Sequence, residues 1–177
     1  LKSLEATKSI FLVTNGQEPD MIQKLEDENA LPTQLYLSTN AADYQSFLKI
    51  NRPRYDDSWE RWNRTLRMLS KLHTRTVLRL TLIRGYNDNE ETVPAFASLL
   101  RQSNAHFVEI KSYMHIGRST NRLEYSDMLE MDEVRSFANK LVQENSTFTV
   151  MDESEISRIV ILQNKKRFVD RFIPAYC

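Results

Sequence analysis

Within FVEIKS (Phe107–Ser112) a carboxylate and an ammonium, Glu109 and Lys111, stand two residues apart in an apolar run. Alternate residues of a strand point to opposite faces, so Glu109, Lys111 and the following Tyr113 share one face while Val108 and Ile110 share the other. RTVLRLTLI (Arg75–Ile83) repeats the arrangement, with Leu78, Leu80 and Leu82 opposed to Arg79 and Thr81. So does the run beginning at Leu35, where Leu35 and Leu37 oppose Tyr36, Ser38 and Asn40. Unpaired buried charges cost several kcal/mol, so the three polar faces are expected to meet across a cavity where Arg79, Glu109 and Lys111 pair. A partly buried amine gives up its proton easily, which makes Lys111 a weak catalytic candidate as a Schiff-base lysine. An ion pair with Glu109 is the favoured reading of Lys111. Metal chemistry finds no support. The three histidines have no ligand spacing, and the single cysteine, Cys177, cannot alone hold zinc or an iron–sulfur cluster.

The elements that must position these residues follow from periodicity. Short apolar or β-branched runs at Ser9–Thr14, Thr33–Ser38, Arg75–Ile83 and His106–Lys111 alternate with helical segments, the signature of parallel β-α-β crossovers. Two more strands are expected at Phe148–Asp152 and Arg158–Gln163. A helix from Ser58 to about Leu72 carries the stripe Trp59, Trp62, Leu66 and Leu69, with Asp57 or Ser58 as its cap. A second helix begins at about Glu90, capped by Asn89. A third begins at Asp132 and aligns Val134, Phe137, Ala138 and Leu141. Pro19 suits a first helical turn after TNGQEP. A flat sheet covered by helices on both faces would be apolar on both, so the polar faces point instead to a barrel-like sheet with its functional end at the strands' C-terminal edge. The competing reading is an antiparallel sheet with one face in water.

The 177 residues suffice for one unit with a sizeable core, read as residues 1–163 with a tail at 164–177 that the pattern does not place. Lys plus Arg and Asp plus Glu both number 24, so any nucleic-acid site must be a local patch. No apolar run approaches membrane-spanning length and no signal peptide opens the chain. A cytoplasmic protein without a membrane partner is expected.

Taken in order, FLVTNGQ, LPTQLYLS, SWERW, RTVLRLTLIRGYND, FVEIKSYMHIGRSTNRL and DESEISRIVIL resemble the C-terminal half of the radical-SAM tRNA 4-demethylwyosine synthases of the wybutosine pathway. The resemblance runs from about Ser9 to Gln163. It implies an α/β fold, the last four strands of a partial (β/α)6 TIM-like barrel with C-terminal strand additions. It implies a lyase that cleaves S-adenosylmethionine on a [4Fe–4S] cluster to a 5′-deoxyadenosyl radical. The radical takes hydrogen from the N1-methyl group of N1-methylguanosine-37 in tRNA(Phe), and a two-carbon piece of pyruvate closes the third ring. The family's CxxxCxxC and GEP motifs are absent from this sequence. The chain is therefore expected to be an excerpt that is inactive alone, with the cluster ligands and the pyruvate lysine in a missing N-terminal half or a partner chain, and with the electron donor left open. Two rivals are a non-catalytic tRNA-binding scaffold and one subunit of a split enzyme.

The same resemblance nominates site residues along the strands' C-terminal ends. Asn15, Ser38, Arg79 and Thr81 are candidates for the methionine carboxylate and ribose hydroxyls of S-adenosylmethionine, and Tyr113 and Met114 for its adenine. For Arg79 the competing role is a plain ion pair with Glu109. His115, Arg118, Asn121 and Arg122, in a loop with a flexible Gly117, are candidates for tRNA contact. Arg52, Arg54, Arg61, Arg64 and Arg67 form a second basic surface, read as a solvated helix face because Asp56, Asp57 and Glu60 dilute it. Asn87 is read as a loop former, and His73 and His106 as structural.

Overall fold

The computed structural model describes residues 7–173, so Leu1 and Cys177 lie outside the described residues. One six-stranded sheet runs in the order β1-β2-β3-β4-β6-β5. Strands β1 (Phe11–Thr14), β2 (Gln34–Ser38), β3 (Arg75–Leu82) and β4 (Phe107–Ser112) are all parallel. The parallel reading therefore holds over the antiparallel one. The hairpin β5 (Phe148–Ser154) and β6 (Ile159–Asn164) then adds antiparallel to β4.

Helices α1 (Pro19–Asp27), α2 (Tyr44–Asn51), α3 (Ser58–Met68), α4 (Val93–Ser103) and α5 (Met131–Glu144) supply the crossovers and the return to the hairpin. Their apolar stripes close on the aliphatic side of the sheet. Leu35, Leu37, Leu78, Leu80, Leu82, Val108 and Ile110 are all fully buried there, against Trp62, Leu66, Phe96 and Phe137. Trp59 and Trp62 stack at 5.3 Å, and the Trp62 indole N–H donates to the Ser38 carbonyl at 3.0 Å, fixing α3 over the end of β2.

Local chemistry departs from expectation at α3. Neither Asp57 nor Ser58 caps it: the Asp57 carboxylate takes the Arg61 Nε at 2.8 Å, and the Ser58 hydroxyl donates back to Tyr55 O. A guanidinium one turn along offers a charged donor, which outcompetes a backbone N–H. The helix also ends at Met68 rather than Leu72. Lys71 and Leu72 N–H close as turns on Met68 O, and Arg167 donates to Leu69 O and Leu72 O, so a side chain takes over the carbonyls of the last turn. Asn89 does act as a cap, accepting from Thr92 N–H at 3.2 Å, but of a 3-10 turn at Glu90–Thr92, and the α-helix itself begins only at Val93. Helix α5 starts at Met131 behind a Glu130–Glu133 capping box.

Gly16, between β1 and α1, has φ +76°. A Cβ there would lie 2.7 Å from Leu37 Cδ1 and 3.1 Å from Trp62 Cδ1, so only glycine fits the turn.

Candidate functional site

On the polar side of the sheet, register sets one row across three strands: Ser38 opposite Arg79, and Arg79 opposite Glu109. Arg79 Nε lies 2.7 Å from Glu109 Oε1 and Nη2 donates to Oε2 at 3.4 Å, while the guanidinium rests 4.6 Å over the Tyr36 ring. The Nε–H is not aligned on the carboxylate, so charge rather than a straight hydrogen bond holds the pair. Below this row Gln34 Nε2 donates to Tyr36 Oη at 2.6 Å, and Arg75 Nε donates to Gln34 Oε1 at 2.8 Å. Burial pushes the Tyr36 phenol above its ordinary pKa.

Lys111 departs from its favoured reading. Thr81 stands opposite it, and among the described residues no carboxylate reaches its ammonium. Glu109 is spoken for by Arg79. Residues directly opposite on neighbouring strands are closer than residues two apart on one strand, and a planar guanidinium fits a carboxylate better than a point charge does. Lys111 is left half-buried with its amine facing open space.

Two cavities open at the strands' C-terminal edge. One, of about 470 Å³, holds Asn15 and Ser38 with Arg54 and Tyr55. The other, of about 450 Å³, holds Arg79, Thr81, Lys111, Tyr113, Met114 and Arg122. Asn40 and Arg52 line both, so the cavities adjoin. The candidate cofactor residues are thus split between two neighbouring hollows. Asn87, 2 % exposed, is a loop former that ties lining residues together: its amide donates to Asn40 O at 2.7 Å and Thr81 O at 2.9 Å, and its side-chain carbonyl accepts from Ile83 N–H at 2.7 Å.

The loop after β4 roofs the second cavity. His115 Nδ1 lies 3.2 Å from the Tyr113 hydroxyl, and Arg122 donates to Ile50 O at 3.4 Å. Arg118 and Asn121 are exposed in the short 3-10 turn Gly117–Asn121 and line neither cavity. Arg84 braces the loop from behind, donating to Ser126 O, Met128 O and Glu133 and holding the Glu133 carboxyl below its ordinary pKa.

Comparisons with known proteins meet this geometry. Residues 102–164, from the end of α4 through β6, match the family model for wyosine base formation. A Methanocaldococcus jannaschii protein named S-adenosyl-L-methionine-dependent tRNA 4-demethylwyosine synthase is 42 % identical over 160 residues, 90 % of this chain and 48 % of its own length. A solved TYW1 structure, described as having a lysine–pyruvate adduct bound, superposes with a TM-score of 0.76 at 40 % identity, over 89 % of this chain and 47 % of that one. The chain is a part-length relative of the tRNA 4-demethylwyosine synthases. It spans about half the length of the archaeal synthase it matches. The fold extends to distant radical-SAM architecture: coproporphyrinogen III oxidase of Escherichia coli, at 14 % identity, superposes with a TM-score of 0.52 over 89 % of this chain and 35 % of its own. That likeness concerns the fold alone, a part-barrel.

Lys49, Arg52 and Tyr86 line the second cavity although the strand pattern did not single them out for it, whereas Asn40, also in its lining, was on the expected polar face of the second strand. Lys49, Arg52 and Asn40 belong to α2 or its flanks. An Asp43-x-x-Ser46 start, with Asp43 accepting from Ser46 N–H at 2.9 Å, was the signal for that helix.

Proposed function

We propose that this chain is part of a radical-SAM lyase that converts N1-methylguanosine-37 of tRNA(Phe), with pyruvate, to 4-demethylwyosine. The observation that carries the reading is the adjoining cavity pair at the C-terminal edge of four parallel strands, in a chain 42 % identical to a named synthase. Bound S-adenosylmethionine would supply the hydrogen-abstracting radical. The residues present fit that ligand: Arg79 forks onto a carboxylate, Ser38, Asn15 and Thr81 bond hydroxyls, and Tyr113 and Met114 flank a flat base. They do not fit a four-iron cluster, since the sequence holds one cysteine. The outer edge of β1 supports completion of the barrel by further polypeptide, because Phe11 and Val13 are 53 % and 48 % exposed there. The part of the relatives' length beyond the match is the candidate for that polypeptide and for the pyruvate-binding lysine.

Equilibrium dialysis with S-adenosylmethionine tests the assignment. Replacing Arg79 with Met is expected to weaken binding at least about tenfold, the worth of a charged hydrogen bond. Thr81→Val, which breaks no ion pair, should weaken it less while leaving thermal unfolding unchanged. Equal affinity for wild type and both variants refutes the assignment. Anaerobic iron–sulfur reconstitution of the chain by itself should give no stoichiometric four-iron absorbance; such a band would overturn the reading that the cluster is held elsewhere.

A further inference from the structure

We infer that Lys111 is a carboxylate anchor: its ammonium, with the Thr81 hydroxyl across the ladder, binds the carboxylate of a small ligand in the second cavity. The inference deepens the proposed function and rests on it, since the two small reactants of that function, S-adenosylmethionine and pyruvate, carry one carboxylate each.

A contrast in burial sets Lys111 apart. Arg67, Lys71 and Arg101 also lack a carboxylate partner among the described residues, but they are exposed and water solvates them. A half-buried cation is a different case, because a charge drawn out of water without a partner is held at a cost. Among the described residues every half-buried lysine and arginine but one has a partner. Arg61, Arg79, Arg84, Arg135, Lys140 and Arg158 meet carboxylates, and Arg75 and Arg167 meet backbone carbonyls. Lys111 is the exception. Glu109, two residues before it on the same face, is engaged by Arg79, and no aspartate, glutamate or histidine lines its cavity. Glu18 lines only the adjoining hollow. The fold itself makes no use of the Lys111 charge, and a residue that breaks the local rule without structural gain points to a ligand.

Position says what kind of anion fits. Lys111 stands inside β4, which pairs with β3 on one side and β6 on the other, so its backbone is fixed. Thr81 lies directly opposite it, lines the same cavity, and has a hydroxyl with no hydrogen bond among the described residues. Ammonium and hydroxyl both donate, one to each oxygen of a carboxylate. A cavity of about 450 Å³ has the size of a small-molecule site. Arg79, the other cation of the polar row, meets a ligand only by sharing its charge with Glu109, whereas Lys111 brings an undivided one. Imine formation with a keto group is the rival use of a lysine amine. That reaction draws on a neighbouring acid–base group to move protons, and the cavity lining supplies neither carboxylate nor imidazole.

The test is equilibrium dialysis of the whole chain with three probes: S-adenosylmethionine, its decarboxylated form, and labelled pyruvate. Lys111→Met should weaken one carboxylate-bearing probe at least about tenfold, the worth of a charged hydrogen bond, and Lys111→Arg should recover part of that loss. Lys71→Met, which removes an exposed cation, should change nothing. If the methionine carboxylate is the one held, S-adenosylmethionine loses affinity, pyruvate does not, and the decarboxylated form binds wild type and Lys111→Met within about twofold of each other. If the carboxylate of the 2-oxo acid is held, pyruvate loses affinity and S-adenosylmethionine does not. Should neither carboxylate-bearing probe lose affinity in Lys111→Met, the anchor is overturned and the proposed function stands. An equal loss for S-adenosylmethionine and its decarboxylated form also overturns the anchor, since the effect is then one of overall charge. A pyruvate adduct trapped on Lys111 by borohydride and located by peptide mass overturns it in favour of a covalent role. Wild type that binds neither S-adenosylmethionine nor pyruvate overturns both the anchor and the proposed function.

Discussion

At the scale of single residues, the polar row separates two charges that look equivalent in the sequence. Glu109 is buried and holds Arg79, whereas Lys111 holds nothing. Glu109→Ala should therefore destabilise the fold by about 1–3 kcal/mol, because it strands a mostly buried guanidinium, the partial exposure of Arg79 keeping the loss below that of a fully buried pair. Lys111→Met should change stability by less than about 0.5 kcal/mol or raise it. Urea denaturation of both variants checks the pair: equal losses would mean that Lys111 shares the carboxylate. The alternation of Arg79, Glu109 and Lys111 with leucine and valine made the polar face legible. The choice of partner was not legible, because it depends on cross-strand register, and no local pattern in β3 or β4 sets where Arg79 falls relative to Glu109.

At the scale of elements, the turns and strand starts carry constraints of their own. Gly16→Ala would press a methyl into Leu37 and Trp62 and force a left-handed alanine, at a cost of about 2–4 kcal/mol by thermal unfolding. At the start of β4, His106 is buried and its Nδ1 accepts from Thr76 N–H at 3.1 Å. Burial first, then the nearby Arg167 and Arg75 cations, lower its pKa from 6.5 to about 4. The unfolded chain thus takes up the proton first. Stability is full above pH 6.5, falls as the pH drops toward 4, and loses nothing more from this group below that. The loss is at most about 3 kcal/mol, and His106→Gln should flatten that stretch of the stability–pH curve. Helices with strong stripes, α3 and α5, were readable from spacing. Helix α2 was harder to see, since its eight residues bury only Phe47 and Ile50.

At the scale of the molecule, the two ends of the strands do different work. The segment after Asn164, which periodicity could not place, lies against the N-terminal end. Arg167 reaches Leu69 O, Leu72 O and Asn104 O, Gln163 donates to Val169 O, and Arg75 donates to Asp170 O and Arg171 O. Such a strap is invisible to pattern reading because its bonds join side chains to distant carbonyls. Phe172 and Ile173 then border a hollow of about 300 Å³ with Tyr36 and Phe107, remote in the strands from Thr81 and Tyr113. Barrel-type enzymes commonly keep stability at this end and chemistry at the other. Arg167→Met should therefore lower the unfolding free energy by about 1–3 kcal/mol, since it strands three carbonyls. Binding of S-adenosylmethionine should stay within about twofold of wild type under conditions where the variant is folded. A parallel loss of ligand affinity in the folded variant would mean that the strap shapes the mouth, and that the division between the two ends does not hold.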